Sequence, residues 1–306
     1  MGPFTIATDH SKEHGGHDSS TARLLTSAGP CYLKVHHTPA HWENEVHAYE
    51  HWARAFGDRA PRLLAVCDVE PLALVISELP GRIVESAHLS RAQERAVWQA
   101  AGAALAPLHA LGTGECFGPV LRDGTPAQPC VRDAQEYVSS QLARDIDRAV
   151  RGSYIDDDEL AILRAACERI PAFEGERPVP CHRDYCAANW LVDEQGTWTG
   201  IIDLEFACWD VRVADFSRYP DWAWVLRPDL AGAFLEGYGR PFTLAEEQQL
   251  LVSRAAYALS AILWGRDYAF HGFEREGHAA LAHLAVLLSA RPSRSRCRQH
   301  GCCIVP

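Results

Sequence analysis

Lysine is nearly missing from this chain of 306 residues: Lys12 and Lys34 are the only two, against 27 arginines. No apolar run approaches the roughly 20 residues that a membrane-crossing helix needs. The amino-terminal segment has no basic region followed by an apolar stretch, so no secretory leader is expected and the cytoplasm is the default. No Cys-x-x-Cys pair occurs among the 11 cysteines. Cys31, Cys67, Cys167, Cys181 and Cys208 lie in apolar surroundings and are expected as buried thiols, Cys186 as a packing residue, and no zinc site is expected. Positive charge is also short. A formal net charge of −11 argues against a nucleic-acid partner and suits a cationic small molecule. The acidic run Asp156, Asp157, Asp158 and Glu159 reads as a solvated helix start, or else as part of an anionic cleft. A G-x-G-x-x-G nucleotide loop is absent, and so are internal repeats.

What remains is an ordinary globular composition, 47% apolar and 23% charged, in a chain long enough for two lobes around a large core. Its most informative stretch is His182-Arg183-Asp184, with Asn189 five residues beyond Asp184, an H-R-D-x-x-x-x-N spacing. Trp190-Leu191-Val192, a turn at 193–196 and the run 198–202 read as a β-hairpin. That hairpin brings Asn189 at its entry beside Asp203 at its exit. Phosphoryl transfer needs one carboxylate to orient an attacking hydroxyl and accept its proton. It also needs hard oxygen donors to hold Mg²⁺ against nucleotide phosphates. Asp184, Asn189 and Asp203 supply these groups in order.

Lys34 closes the apolar strand pattern Cys31-Tyr32-Leu33-Lys34-Val35. In kinase-like folds a strand lysine contacts the α/β-phosphates and pairs with a glutamate on the next helix. Glu45 is the first choice for that partner, ahead of Glu50 and then Glu43. Strands are expected over 3–8, 21–27, 62–69 and 72–78, with a polar loop at 11–20. In that loop Ser19 and Ser20 either approach phosphates or belong to a plain surface loop. A break at Leu79-Pro80-Gly81 divides a nucleotide lobe, 1–80, from a catalytic and acceptor lobe, 81–290. Backbone groups at Ser77, Glu78 and Leu79 are positional candidates for holding adenine. Helices are expected over 90–111, 133–150, 157–170, 214–224, 231–238, 244–264 and 274–288. His109 ends the first of them, as a satisfied or partly exposed histidine. The tail 291–306 has no core periodicity and is expected to be disordered. Its last four residues imitate a prenylation box, discounted because the chain ends in proline.

Asp203 is followed by Leu204-Glu205 rather than Phe-Gly, and no Ala-Pro-Glu follows, so the chain departs from eukaryotic protein kinases. From about residue 15 to about 290 it resembles the aminoglycoside phosphotransferase and choline kinase superfamily. The resemblance rests on 182–189 and on Ile202-Asp203-Leu204-Glu205, with weaker support from 78–81, Leu108-His109 and 234–238. It implies an α+β, protein-kinase-like bilobal fold, with a small five-stranded sheet and one helix above a larger, mainly helical lobe. It implies Asp184 as the base, Asn189 and Asp203 as Mg²⁺ ligands, and Lys34 with Glu45 as a phosphate clamp for ATP, GTP not being excluded. His182 would brace the loop. Asp215 would support it from a following element, or simply start a helix. Most antibiotic-modifying relatives have glycine where Arg183 stands. Glu205 is open to a metal or an acceptor role. Trp209, Asp210, Asp221, Trp222 and Trp224 are candidates for an aromatic and acidic acceptor wall, or for packing.

The expected activity is phosphorylation of a hydroxyl on a cationic antibiotic, either an aminoglycoside or a cyclic peptide of the viomycin and capreomycin type. The alternatives are a kinase of choline, homoserine or a sugar, and a non-catalytic nucleotide-binding regulator. The chain would act as a monomer or homodimer, away from membranes.

Overall fold

The computed structural model describes residues 4–9, 19–218 and 226–289. Five strands make one antiparallel sheet in the order β1-β2-β3-β5-β4. They are β1 (Phe4–Asp9), β2 (Ser19–Thr26), β3 (Gly29–His36), β4 (Leu63–Cys67) and β5 (Ala73–Ser77). Between β3 and β4 runs helix α1 (Pro39–His51), opened by a proline whose fixed φ suits a first turn. Alternation along β3 sorts its side chains between two faces. Cys31 packs with Leu24 and Val75 on one face. Lys34 and His36 are both buried on the other, against Glu45 of α1.

The rest is mainly helical. Arg82–Ile83 (β6) pairs with Trp190–Val192 (β8), which pairs with Trp198–Ile201 (β9) in a three-stranded sheet. Val179–Cys181 (β7) pairs with Cys208–Asp210 (β10). The helices are α2 (Arg91–His109), α3 (Ala134–Arg151), α4 (Asp157–Cys167), α5 (Pro228–Tyr238), α6 (Leu244–Asp267) and α7 (His271–Ser289). Helix α2 begins with a capping box in which Gln93 returns the bond to Ser90. Its apolar stripe Val97, Ala101, Leu105 and Leu108 is buried, as the periodicity predicts. One core cluster runs from α1 (Trp42, Val46, Tyr49) through β5 to Trp190, Ile201, Leu105 and Phe234. The sheet and the β8–β9 hairpin thus share a single packed interior. A second cluster joins α3, α4, α6 and α7.

Helices α2 and α5 cross so closely that glycine is required at the contact. A Cβ at Gly237 would lie 1.8 Å from the Gln99 carbonyl oxygen, and one at Gly102 would lie 2.0 Å from that of Phe234. Gly237→Ala therefore forces the backbones apart. The expected loss is about 1–3 kcal/mol, read as a lowered urea midpoint with an unchanged m-value.

Two expectations change. Residues 212–216 form a 3-10 turn, Arg212–Phe216, and Ser217 and Arg218 are irregular, in place of a helix from 214. The remainder of that expected helix, with Asp221, Trp222 and Trp224, lies outside the described residues, as do 10–18 and the tail 290–306. Ser19 and Ser20 belong to β2, because pairing with His36 and Val35 extends the strand back to them. Cys116 and Cys130 form a disulfide. It closes the loop that carries the bridges Phe117↔Val131 and Val120↔Pro126.

Candidate active site

The segment 182–189 connects β7 to β8 and is fixed from beneath by one carboxylate. Asp215, 4% exposed, accepts the backbone N–H groups of His182 (2.8 Å) and Arg183 (2.5 Å) and lies 2.9 Å from His109 Nε2. His109 Nδ1 lies 2.8 Å from the Tyr238 hydroxyl. Burial pushes the Asp215 carboxyl up, but the bonds from His109 and His182 outweigh it and hold the group below its ordinary range. His182 is fully buried and sits 3.2 Å from the Ile202 carbonyl, tying the loop to the residues between β9 and Asp203. Burial holds the His182 imidazole below its ordinary pKa, which favours the neutral ring.

Arg183 and Asp203 both take left-handed backbone conformations, φ 69° and 67°. Side-chain-bearing residues seldom do so, and the strain costs on the order of 1–3 kcal/mol each. At 183 a glycine would take this conformation freely. Arginine holds it through an ion pair between its guanidinium and the buried Asp210.

Lys34 and three acidic groups form the centre of the site. Its Nζ lies 2.7 Å from Asp203 Oδ1, 2.9 Å from Glu205 Oε2 and 3.1 Å from Glu45 Oε1. Burial alone would push the ammonium down, yet Asp203, Glu45 and Glu205 together hold its pKa well above the ordinary lysine value. For Asp203 burial works upward and Lys34 wins, keeping the carboxyl low. Glu205 lacks that advantage. Burial, with Asp203 beside it, pushes it up to about 7 despite Lys34. Glu45, fully buried, is paired through its second oxygen to His36 Nε2 at 2.8 Å. The fallback partners are engaged elsewhere, since Glu50 pairs with the Arg122 guanidinium and Glu43 accepts the Arg122 N–H.

Asn189 reaches across to Asp184. Its Nδ2 donates to Asp184 Oδ2 at 2.7 Å and to the Asp184 carbonyl at 2.9 Å. The Ile202 N–H bonds the Asn189 carbonyl at 3.0 Å, so Asn189 and Asp203 stand at adjacent ends of the hairpin. Base-like carboxylate, amide, second carboxylate and buried lysine therefore share one region.

A sequence-family profile described as APH, phosphotransferase enzyme family, matches residues 12–250. The chain belongs to the phosphotransferase enzyme family. As a member it is a phosphotransferase acting on hydroxyl groups. No curated protein matches it. Among solved structures, aminoglycoside phosphotransferase APH(4)-Ia is 16% identical, with a TM-score of 0.71 over 94% of this chain and 95% of that one. A GDP and kanamycin complex of APH(2")-IIia is 13% identical, with a TM-score of 0.65 over 92% and 94%. A gentamicin complex of APH(2")-IIa is 15% identical, with a TM-score of 0.59 over 92% and 91%. These likenesses establish the kinase-like α+β fold.

Other candidates in this phosphotransferase stand apart from that centre or face it differently. Asp210 is 1% exposed and is committed to Arg183, the Tyr137 hydroxyl (3.3 Å) and the Val211 N–H (2.6 Å). Trp209 packs edge-on to Trp52 at 5.2 Å and fills the space beside Gly114. Asp210 has no face left for an acceptor, whereas Trp209 is only half-buried. Glu205 sides with Lys34 and takes a 3.1 Å bond from the Ser19 hydroxyl, which places Ser19 at the site through a strand. Ser20 instead meets His37 at 3.0 Å on the exposed side. Ser77 Oγ accepts the Arg62 N–H, and Glu78 pairs with Arg23, so these side chains brace the connection after β5. Sequence reasoning missed His36, Asn44 and Arg218. Asn44 joins Val120 N–H to the Glu205 carbonyl, binding α1 to the disulfide loop. Only His36 carried a signal, as the same-face neighbour of Lys34 two residues along β3.

Proposed function

We propose that this phosphotransferase moves the γ-phosphoryl group of ATP to a hydroxyl of a cationic antibiotic, with Mg²⁺. The observation that carries the reading is the convergence of Lys34, Glu45 and Asp203 with Asp184 and Asn189 in one place. Lys34, steadied by Glu45, holds phosphate oxygens as a fixed charge, while backbone groups at 77–79 take the base. Asp184 orients the acceptor hydroxyl and receives its proton as the O–P bond forms.

The donor set suits a hard divalent cation. The Asn189 amide nitrogen is committed to Asp184, so the amide oxygen is the atom left to ligate, alongside the Asp203 carboxylate. The ion would neutralise charge on the phosphates. The sheet with α1 serves as the nucleotide lobe, to about residue 80, and the remainder to about 290 as the acceptor lobe.

Similar folds have been crystallised with hygromycin B and AMP-PNP, and with kanamycin and GDP. The acidic balance of this chain supports a cationic acceptor. The test is mass spectrometry of aminoglycosides, viomycin and capreomycin after incubation with enzyme, Mg²⁺ and ATP or GTP. A single added phosphate on an antibiotic is expected. Turnover of choline, homoserine or a sugar alone would move the acceptor to metabolism.

Lys34→Met should weaken nucleotide binding about tenfold to a hundredfold by calorimetry, the weight of a charged hydrogen bond. Unchanged affinity would remove Lys34 from the phosphate site.

A further inference from the structure

Asp184 is already held on both oxygens. Oδ2 accepts from Asn189 Nδ2 at 2.7 Å, and Oδ1 is ion-paired to the Arg218 guanidinium. The two side chains of that ion pair are 21% and 23% exposed, so the contact is shielded without being sealed. Arg218 stands two residues beyond the 3-10 turn that supplies Asp215.

The same guanidinium acts on a second acidic pair. Tyr257 of α6 donates its hydroxyl to Glu276 Oε1 of α7 at 2.5 Å. Burial pushes both groups up, and the positive charge of Arg218 works against that on each of them. Glu85, from the segment after β6, adds negative charge around Glu276. One arginine therefore touches Asp184 and lies within electrostatic reach of the Tyr257 and Glu276 pair on α6 and α7. An incoming hydroxyl competes with the guanidinium for Asp184 Oδ1, whose remaining lone pair is the narrower approach.

We propose that Arg218 is a resident stand-in for the positive charge of the acceptor. A protonated amine or guanidine on the acceptor displaces it and takes its place among Asp184, Tyr257 and Glu276. The hydroxyl next to that amine then reaches Asp184 Oδ1. The class of acceptor is an amino alcohol, with its charge adjacent to the hydroxyl that gains phosphate. Arg218 returns to water at modest cost, because it is partly solvated to begin with. This inference rests on the phosphotransfer reading and sharpens it. Arg218 is a positioning residue here, since it leaves before the reaction.

The test measures kcat and KM for kanamycin, hygromycin B and viomycin, each beside its N-acetylated form, with wild type, Arg218→Gln, Arg218→Lys and Glu276→Gln. Nucleotide KM in every variant reports folding. Removing the internal competitor should lower acceptor KM about fivefold to tenfold in Arg218→Gln, and Arg218→Lys should restore it. Glu276→Gln should raise acceptor KM about tenfold, with kcat within about threefold of wild type; one lost charged contact is of that size. N-acetylated acceptors should gain nothing from Arg218→Gln. A hundredfold fall in kcat for Arg218→Gln with acceptor KM unmoved would mean that the arginine serves the transferring phosphate, and would overturn the proposal. Phosphorylated product from wild type with unmoved KM in both Arg218→Gln and Glu276→Gln would overturn it alone. No product from the wild type would overturn it together with the phosphotransfer reading.

Discussion

Asp184→Ala should leave a folded protein that binds nucleotide with near-normal affinity and transfers phosphate on the order of a thousandfold more slowly. General-base assistance is worth about 10²–10⁴ in rate, and Asp184 is the carboxylate that the loop presents beside Asn189. The nucleotide side stays intact because Lys34 is held by Asp203, Glu205 and Glu45, none of which depends on Asp184. Paired measurements of nucleotide Kd and single-turnover rate separate the two effects. A rate within tenfold of wild type would take the proton-accepting role away from Asp184. If the protein were a regulator that merely kept the fold, this substitution would leave its biological effect unchanged.

Asp215→Ala should be the most destabilising single change near the site. The buried carboxylate accepts two backbone N–H groups from the catalytic loop and pairs with His109. Its removal leaves those donors buried without partners, a loss of about 3–5 kcal/mol. At the size of this chain that corresponds to a fall in Tm of about 6–20 °C. Activity should fall as well, because the loop that positions Asp184 loses its anchor. A stability within about 1 kcal/mol of wild type would mean that water replaces the carboxylate without strain. Asp215→Asn, which keeps one acceptor oxygen, should lose less.

The sequence determined by itself whatever depends on spacing along one element or across one turn. Asn189 and Asp203 meet because a hairpin must return its ends to the same place, and that geometry follows from Trp190-Leu191-Val192, its turn and the strand after it. Lys34 was legible as one of two lysines in an arginine-rich chain, set in an apolar strand pattern, and Glu45 because a helix repeats and gives it an inward edge. The apolar stripe of α2 and the acidic start of α4 followed in the same way.

Only the tertiary structure decided the contacts between distant segments, where periodicity carries no information. Asp210 had the composition of a ligand wall, yet β10 buries it against Arg183, while its neighbour Trp209 stays half-buried beside Trp52. Arg183 takes a left-handed backbone that suits glycine, and that strain is offset by Asp210, 27 residues away. The disulfide joins cysteines 14 residues apart through a loop without any regular pattern. Arg218 reaches Asp184 from a segment whose expected helix is a short turn, and Tyr257 and Glu276 meet because α6 and α7 pack side by side. Local pattern thus places Lys34, Glu45, Asn189 and Asp203, which sit on strand, helix and hairpin. The surroundings of Asp184 are assembled from loops and helix pairs whose meeting is a matter of packing.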